Sequence, residues 1–136
     1  MPPYDLANLD NYRPPADLLA GKNILITGAS KGIGKAAALA YARHGATVIL
    51  LGRDEESLDL VYDQIEKDNC PQPVIVPFDL SHCDEPQCRE LTKLITEELG
   101  PLHGLLHNAA QLGELNPLAP YDLHTVRDIL ELNVTS

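Results

Sequence analysis

Positive charge is scarce in this chain: ten lysines and arginines face twenty aspartates and glutamates, a net charge of −10 over 136 residues. Nucleic acid and anionic membrane both call for a basic surface, so neither is expected as a partner. No apolar run approaches the ~20 residues that span a bilayer. The first ten residues are acidic and lack the basic and apolar regions of an export signal, which points to the cytoplasm. Cysteine is sparse too. Cys70, Cys83 and Cys88 are an odd number in a chain without that signal, which favours free thiols. Cys83 and Cys88 lie near His82, but the spacing matches no zinc pattern and no fourth ligand is evident, so no metal is expected. There is no internal repeat or low-complexity tract, and the length suits one domain with a real core.

The most informative stretch runs from Lys22 to Lys35. Ile24, Leu25, Ile26 and Thr27 read as a short strand buried on both faces, and an Ala-rich helical pattern begins at Lys35. Between them stand Gly28, Gly32 and Gly34. Strand, glycine turn and helix together present a helix N-terminus to a phosphate. Gly28 suits the tight turn, Gly32 a close backbone approach to a pyrophosphate, and Gly34 close packing of helix on strand. A triphosphate-binding loop of the form Gly-x-x-x-x-Gly-Lys-Ser/Thr is excluded. Ala29 stands where its first glycine would be, and Ala36 where its metal-binding hydroxyl would be.

Residues 1–20 hold four of the eleven prolines and read as an arm, with Ala16 to Leu19 docking on the domain that follows. Ala46 to Leu51 is a second buried strand. Asp54 can cap a helix whose Leu58, Val61, Tyr62 and Ile65 recur at helical spacing. Val74 to Phe78 is a third strand, and Pro77 assigns it to a sheet edge because proline has no N–H for a ladder. A helix from about Glu85 to Leu99 stops at Gly100-Pro101, and Leu102 to His107 is a fourth strand. After a loop to about Pro120 comes a last helix with Val126, Ile129, Leu130 and Val134 inward. Alternating strands and helices imply an α/β fold, a doubly wound parallel sheet with helices on both faces, ending after the fourth strand and the next helix.

Thr27-Gly-Ala-Ser-Lys-Gly-Ile-Gly34 resembles the Thr-Gly-x-x-x-Gly-x-Gly cofactor loop of the short-chain dehydrogenase/reductase family. Three further segments fall in the same register. Asp79-Leu80 resembles the pair that holds the adenine. Asn108-Ala109-Ala110 is similar to the Asn-Ala-Gly segment lying along the cofactor, with Ala110 in place of glycine. Asn133 sits where the family places an active-site asparagine. Asp17-Leu18-Leu19 and Leu50-Leu51-Gly52-Arg53 point further to a bacterial oxidoreductase branch of the family. The resemblance implies a Rossmann-type domain over residues 21–136. It assigns cofactor contacts to Thr27, Gly28, Ser30, Lys31, Gly32, Ile33, Gly34, Arg53, Asp79, Leu80, Asn108 and Ala109, and a catalytic role to Asn133.

Charge at the end of the second strand distinguishes the two nicotinamide cofactors. A ribose 2′-hydroxyl calls for a carboxylate there, a 2′-phosphate for a cation. Gly52 occupies the carboxylate position, and Arg53 follows it with Lys31 on the same side, so NADP is expected rather than NAD. Asp54 lies about 20 residues beyond Gly34, the spacing of a ribose-binding acid. It falls after Arg53 and starts the helical pattern, so it is read as the cap.

The resemblance implies hydride transfer between NADP(H) and a carbonyl or alcohol substrate, with a Tyr-x-x-x-Lys pair as acid/base. No tyrosine here is followed by lysine four residues on: Tyr4, Tyr12, Tyr41, Tyr62 and Tyr121 have Asn8, Ala16, Gly45, Glu66 and Thr125. The chain is therefore expected to be an incomplete domain, the cofactor-binding half of a reductase, inactive alone, with the full-length form a homo-oligomer. A non-catalytic NADP(H)-binding module is the alternative. The fourth strand would lack an outer neighbour, which predicts marginal stability and association for the isolated chain.

Overall fold

Strands made of consecutive aliphatic residues need cover on both faces, because successive side chains point to opposite sides of the sheet. The computed structural model describes residues 12–112 and 122–135, and in it this requirement organises the fold. Strands β1 (Asn23–Thr27), β2 (Thr47–Gly52), β3 (Val74–Pro77) and β4 (Gly104–Leu106) form one parallel sheet in the order β3-β2-β1-β4. Helices α1 (Gly32–Arg43), α2 (Glu55–Lys67), α3 (Glu85–Leu99) and α4 (Leu123–Leu130) alternate with them.

Ile24, Ile26, Val48 and Leu50 face one side, packing with Ala38 and Ala42 of α1 and Leu58, Val61 and Ile65 of α2. Leu25, Ile49 and Leu51 face the other, packing with Ile95 of α3 and with partly buried Leu91 and Leu99. Ala38 and Ala42 let α1 approach the sheet closely. Leu19 extends the first cluster, and its N–H donates to the His44 carbonyl at 2.8 Å, so the Ala16–Leu19 segment docks as expected. Residues 1–11 of the expected arm, and most of the loop to Pro120, lie outside the described residues.

Local signals set the element ends. The Asp54 side chain accepts from Ser57 N–H at the start of α2, and Asp84 forms a reciprocal capping box with Gln87 at the start of α3. Gly100, at φ +85°, ends α3. Pro77 lies on edge strand β3 opposite Gly52. The next N–H, from Phe78, donates to the Gly52 carbonyl at 2.9 Å. Neighbouring N–H groups of a strand point opposite ways, so the donor that Pro77 lacks would have pointed away from the sheet.

Three expectations are corrected. The fourth strand is shorter than residues 102–107: its ladder is confined to Gly104–Leu106, while Leu102 packs beneath α3. In the last helix Val126 and Ile129 are half-buried, but Leu130 and Val134 are 53% and 72% exposed and Leu132 is buried instead. The cause is a π-helical turn at Glu131–Thr135, whose wider winding takes residues off the 3.6-residue period. Finally, Cys83 and Cys88 are paired as a disulfide and only Cys70 is free, because the capped start of α3 folds the two cysteines toward one another.

Ile26, fully buried in the central strand β1, tests the packing. Ile26→Ala is expected to lower unfolding free energy by about 2–5 kcal/mol in urea titrations. A loss below about 1 kcal/mol would show that the core relaxes around the cavity.

Candidate functional site

The sheet order makes a crevice inevitable. The chain leaves β1 toward β2 on one side, while β4 arrives on the other, so the loops at their C-terminal ends diverge. Thr27 ends β1 in this gap, 5% exposed. Its hydroxyl oxygen accepts the backbone N–H groups of Asn108 and Ala109, both at 2.9 Å, and donates to the Leu106 carbonyl at 3.4 Å. The Asn108 side-chain amide in return donates to the carbonyls of Thr27 and Gly28, both at 3.1 Å. Two loops about 80 residues apart in sequence are thus joined by five hydrogen bonds.

Gly28 turns the chain out of the strand at φ +64°. A Cβ on Gly34 would lie 2.2 Å from the Gly28 carbonyl oxygen and 2.5 Å from the Asn108 amide nitrogen. Only glycine lets the first turn of α1 sit so close to the clamp. Lys31 precedes α1 and offers no side-chain acceptor to its N-terminal amides, whereas α2, α3 and α4 each begin with an aspartate that does. The α1 N-terminus, with its partial positive charge, is left open to an anion.

It opens beside a cleft of about 350 Å³. Gly28, Ser30, Lys31, Arg53, Asp79, Leu80, Asn108 and Ala109 line it, so eight of the twelve residues expected to contact a cofactor share one wall. Thr27, Gly32, Ile33 and Gly34 are not in that lining. Thr27 and Gly34 act behind it, through the clamp and the close helix approach. Ile33 is 78% exposed at the start of α1. Asp79 is also a local cap: its carboxylate accepts from the Ser81 N–H at 2.9 Å and from the Ser81 hydroxyl.

Asn133 lies across a shared wall. Leu51, Leu80, Ala109 and Leu132 border both the cleft and a second cavity of about 420 Å³, and Asn133 and Thr27 line the latter. The Asn133 amide is engaged at both ends, its oxygen accepting from Gln111 N–H at 2.7 Å and its nitrogen donating to the Gln111 carbonyl at 2.9 Å. It therefore ties α4 to the segment leaving β4.

Sequence reasoning overlooked Ser57, Phe78 and Leu132 in the cleft wall. Ser57 carried a readable signal, standing three residues after the Asp54 cap. Leu132 carried none, because the π-helical turn moved it. The Ser57 hydroxyl, then the Ser57 N–H, hold the Asp54 carboxyl below the usual carboxylate range, with the Lys31 charge adding to them. Among the described residues, no three His, Cys, Asp or Glu side chains group as metal ligands, and no helix is long and apolar enough to cross a membrane.

Comparison with known proteins places this geometry. A family profile described as short chain dehydrogenase matches residues 22–136. The uncharacterized oxidoreductase YciK of Escherichia coli is 42% identical over 126 residues, which are 93% of this chain and 50% of YciK. A short chain dehydrogenase structure from Pseudomonas syringae superposes with a TM-score of 0.85 at 45% identity, covering 91% of this chain and 51% of that one. A Shigella flexneri structure, complexed with NADP, gives a TM-score of 0.83 at 42% identity, covering 88% and 50%. The chain spans about half the length of these relatives.

Two measurements probe the site directly. Thr27→Val keeps the shape but strands two half-buried amides, and is expected to cost about 1–3 kcal/mol of stability. An unchanged urea midpoint would show that the clamp holds without its hydroxyl. Asp54 is expected to titrate below the ordinary range in a carboxyl-detected NMR experiment, with Ser57→Ala raising its midpoint. Because the folded value is the lower one, the cap's contribution is complete at neutral pH and is lost as pH falls through that value. A midpoint indifferent to Ser57→Ala would sink this assignment.

Proposed function

This chain belongs to the short-chain dehydrogenase family, and from that premise we propose that it forms the cofactor-binding half of an NADP-dependent reductase. Residues 21–136 would make the dinucleotide-binding domain, with residues 1–20 as its arm. The reaction would move hydride between NADP(H) and a carbonyl or alcohol carbon of a small molecule in the cytoplasm. The complete protein would be a homo-oligomer.

One observation carries this reading: the uncapped N-terminus of α1, Lys31 and Arg53 converge on one cleft, and Gly52 ends β2 where a carboxylate would repel a phosphate. The pyrophosphate would lie against the α1 N-terminus and Ser30, since its charge complements the open amides. Arg53, exposed at the end of β2, would take the 2′-phosphate with its fork of donors, and Lys31 would add a second charge. Asp79 and Leu80 would bound the adenine. Asn108 and Ala109 would lie along the ribose and nicotinamide, held by the Thr27 clamp.

When bound, the cofactor would donate or accept the hydride. The chain's own residues would bind and orient it. Asn133 would serve the active site as the resemblance implies, since its bonds to Gln111 use one amide hydrogen and one lone pair of the two that each end has. The acid/base step requires a Tyr-x-x-x-Lys pair, and none occurs between Met1 and Ser136.

Titration of the purified chain with NADPH, followed by cofactor fluorescence, tests the binding function. Arg53→Ala is expected to weaken NADPH by roughly 10- to 100-fold, the worth of a charge-assisted pair, and to change NADH binding by less than about twofold. Equal affinity of the unaltered chain for NADH and NADPH would overturn the assignment of Arg53. Sustained NADPH oxidation by residues 1–136 with a carbonyl substrate would overturn the division into halves.

A further inference from the structure

We propose that Cys83 and Cys88 form a reversible thiol–disulfide modification site that sets the rigidity of the adenine-side wall of the cleft. The two cysteines are paired, with Cα atoms 6.6 Å apart, inside the ordinary range for a disulfide. They bracket the start of α3. Cys83 follows the short 3₁₀ turn Leu80–His82 and donates its N–H to the Leu80 carbonyl at 3.3 Å, while Cys88 lies in the first turns of the helix. The bridge therefore fastens the turn that carries Leu80 to a fifteen-residue helix packed on the sheet.

Leu80 gives the bridge its reach. It borders both the cleft and the second cavity, and Cys88 lines that second cavity as well. Opening the bridge frees the end of the turn next to Asp79 and Leu80, while the capping box at Asp84 and Gln87 keeps the helix start in place. The bridge is also built to open. Cys88 is exposed, and a loop closed over a separation of five residues adds less stability than a long one.

The oxidant is a low-molecular-weight disulfide such as glutathione disulfide. The exposed Cys88 thiolate attacks one of its sulfurs, forming a mixed disulfide and expelling one glutathione thiolate. The Cys83 thiolate then attacks the Cys88 sulfur, closing the bridge and releasing the second glutathione thiolate. The two protons lost by the protein go to the two leaving thiolates, so a two-electron oxidation of the chain matches a two-electron reduction of glutathione disulfide. Excess glutathione runs the sequence backwards.

The effect on NADPH rests on the function proposed above; the modification itself does not. The chain is equilibrated in glutathione buffers of graded redox ratio, trapped with N-ethylmaleimide and weighed intact, with amide exchange and NADPH titrations on the same samples. The expected oxidised form takes up one label, at Cys70, and the reduced form three. Oxidation is expected to slow exchange in residues 79–83 by about tenfold and to tighten NADPH by about threefold through preorganisation. The double variant Cys83→Ser, Cys88→Ser should show neither change, and Cys70→Ser both. Three labels at every ratio, or a bridge that forms without slowing exchange in residues 79–83, would overturn the proposal. Slowed exchange with no NADPH binding in either form would uphold the modification site and count against the cofactor assignment instead.

Discussion

A clamp of five hydrogen bonds, three of them at the Thr27 hydroxyl, holds the two loops of the crevice together. Thr27 ends β1 with its side chain turned to the loop after β4, and Asn108 answers from that loop with its amide on the Thr27 and Gly28 carbonyls. Parallel strands diverge where the winding of the sheet reverses, and without a clamp the gap would expose backbone donors and acceptors. Here those groups satisfy one another. Gly34 then seats α1 against the same point, so the position of the helix N-terminus, and of the cleft before it, depends on this joint.

Charge is arranged on that frame by contrast rather than by excess. The chain as a whole is acidic, and among the described residues three of the four α-helices begin with an aspartate that accepts from a first-turn amide. Helix α1 begins with Lys31 instead and leaves its amides open. A small region of two cations and an uncapped helix N-terminus inside a negative molecule is suited to a compact anion and unsuited to an extended polyanion, because the surrounding field opposes the latter. Asp54 sits at the rim of that region, yet its carboxylate is spent on Ser57 and its own helix, so it caps rather than competes.

The second cavity shows how the site extends beyond the cleft. Leu80 and Leu132 form part of the partition, one from the turn before α3 and the other from the π-helical turn after α4. Each is positioned by a neighbour that is not part of the cleft: Leu80 by the Cys83–Cys88 bridge, Leu132 by the Asn133–Gln111 pair one residue on. The wall facing a cofactor is therefore supported from behind by covalent and hydrogen-bonded ties.

What the sequence determined by itself was local. Runs such as Ile24–Leu25–Ile26 and Val48–Ile49–Leu50–Leu51 specified strands buried on both faces, Asp54 and Asp84 specified helix starts, and Pro77 placed its strand at an edge. Each of these follows from the period or hydrogen-bonding capacity of neighbouring residues, which a linear reading can see. Motif spacing also marked the eight residues that meet in the cleft. Only the tertiary structure decided that Thr27 and Gly34 act behind the wall and that Leu132 rather than Leu130 or Val134 turns inward. Those outcomes rest on contacts between segments as far as 82 residues apart and on one over-wide helical turn. A periodicity argument assumes a uniform helix and near neighbours, and packing around the crevice obeys neither.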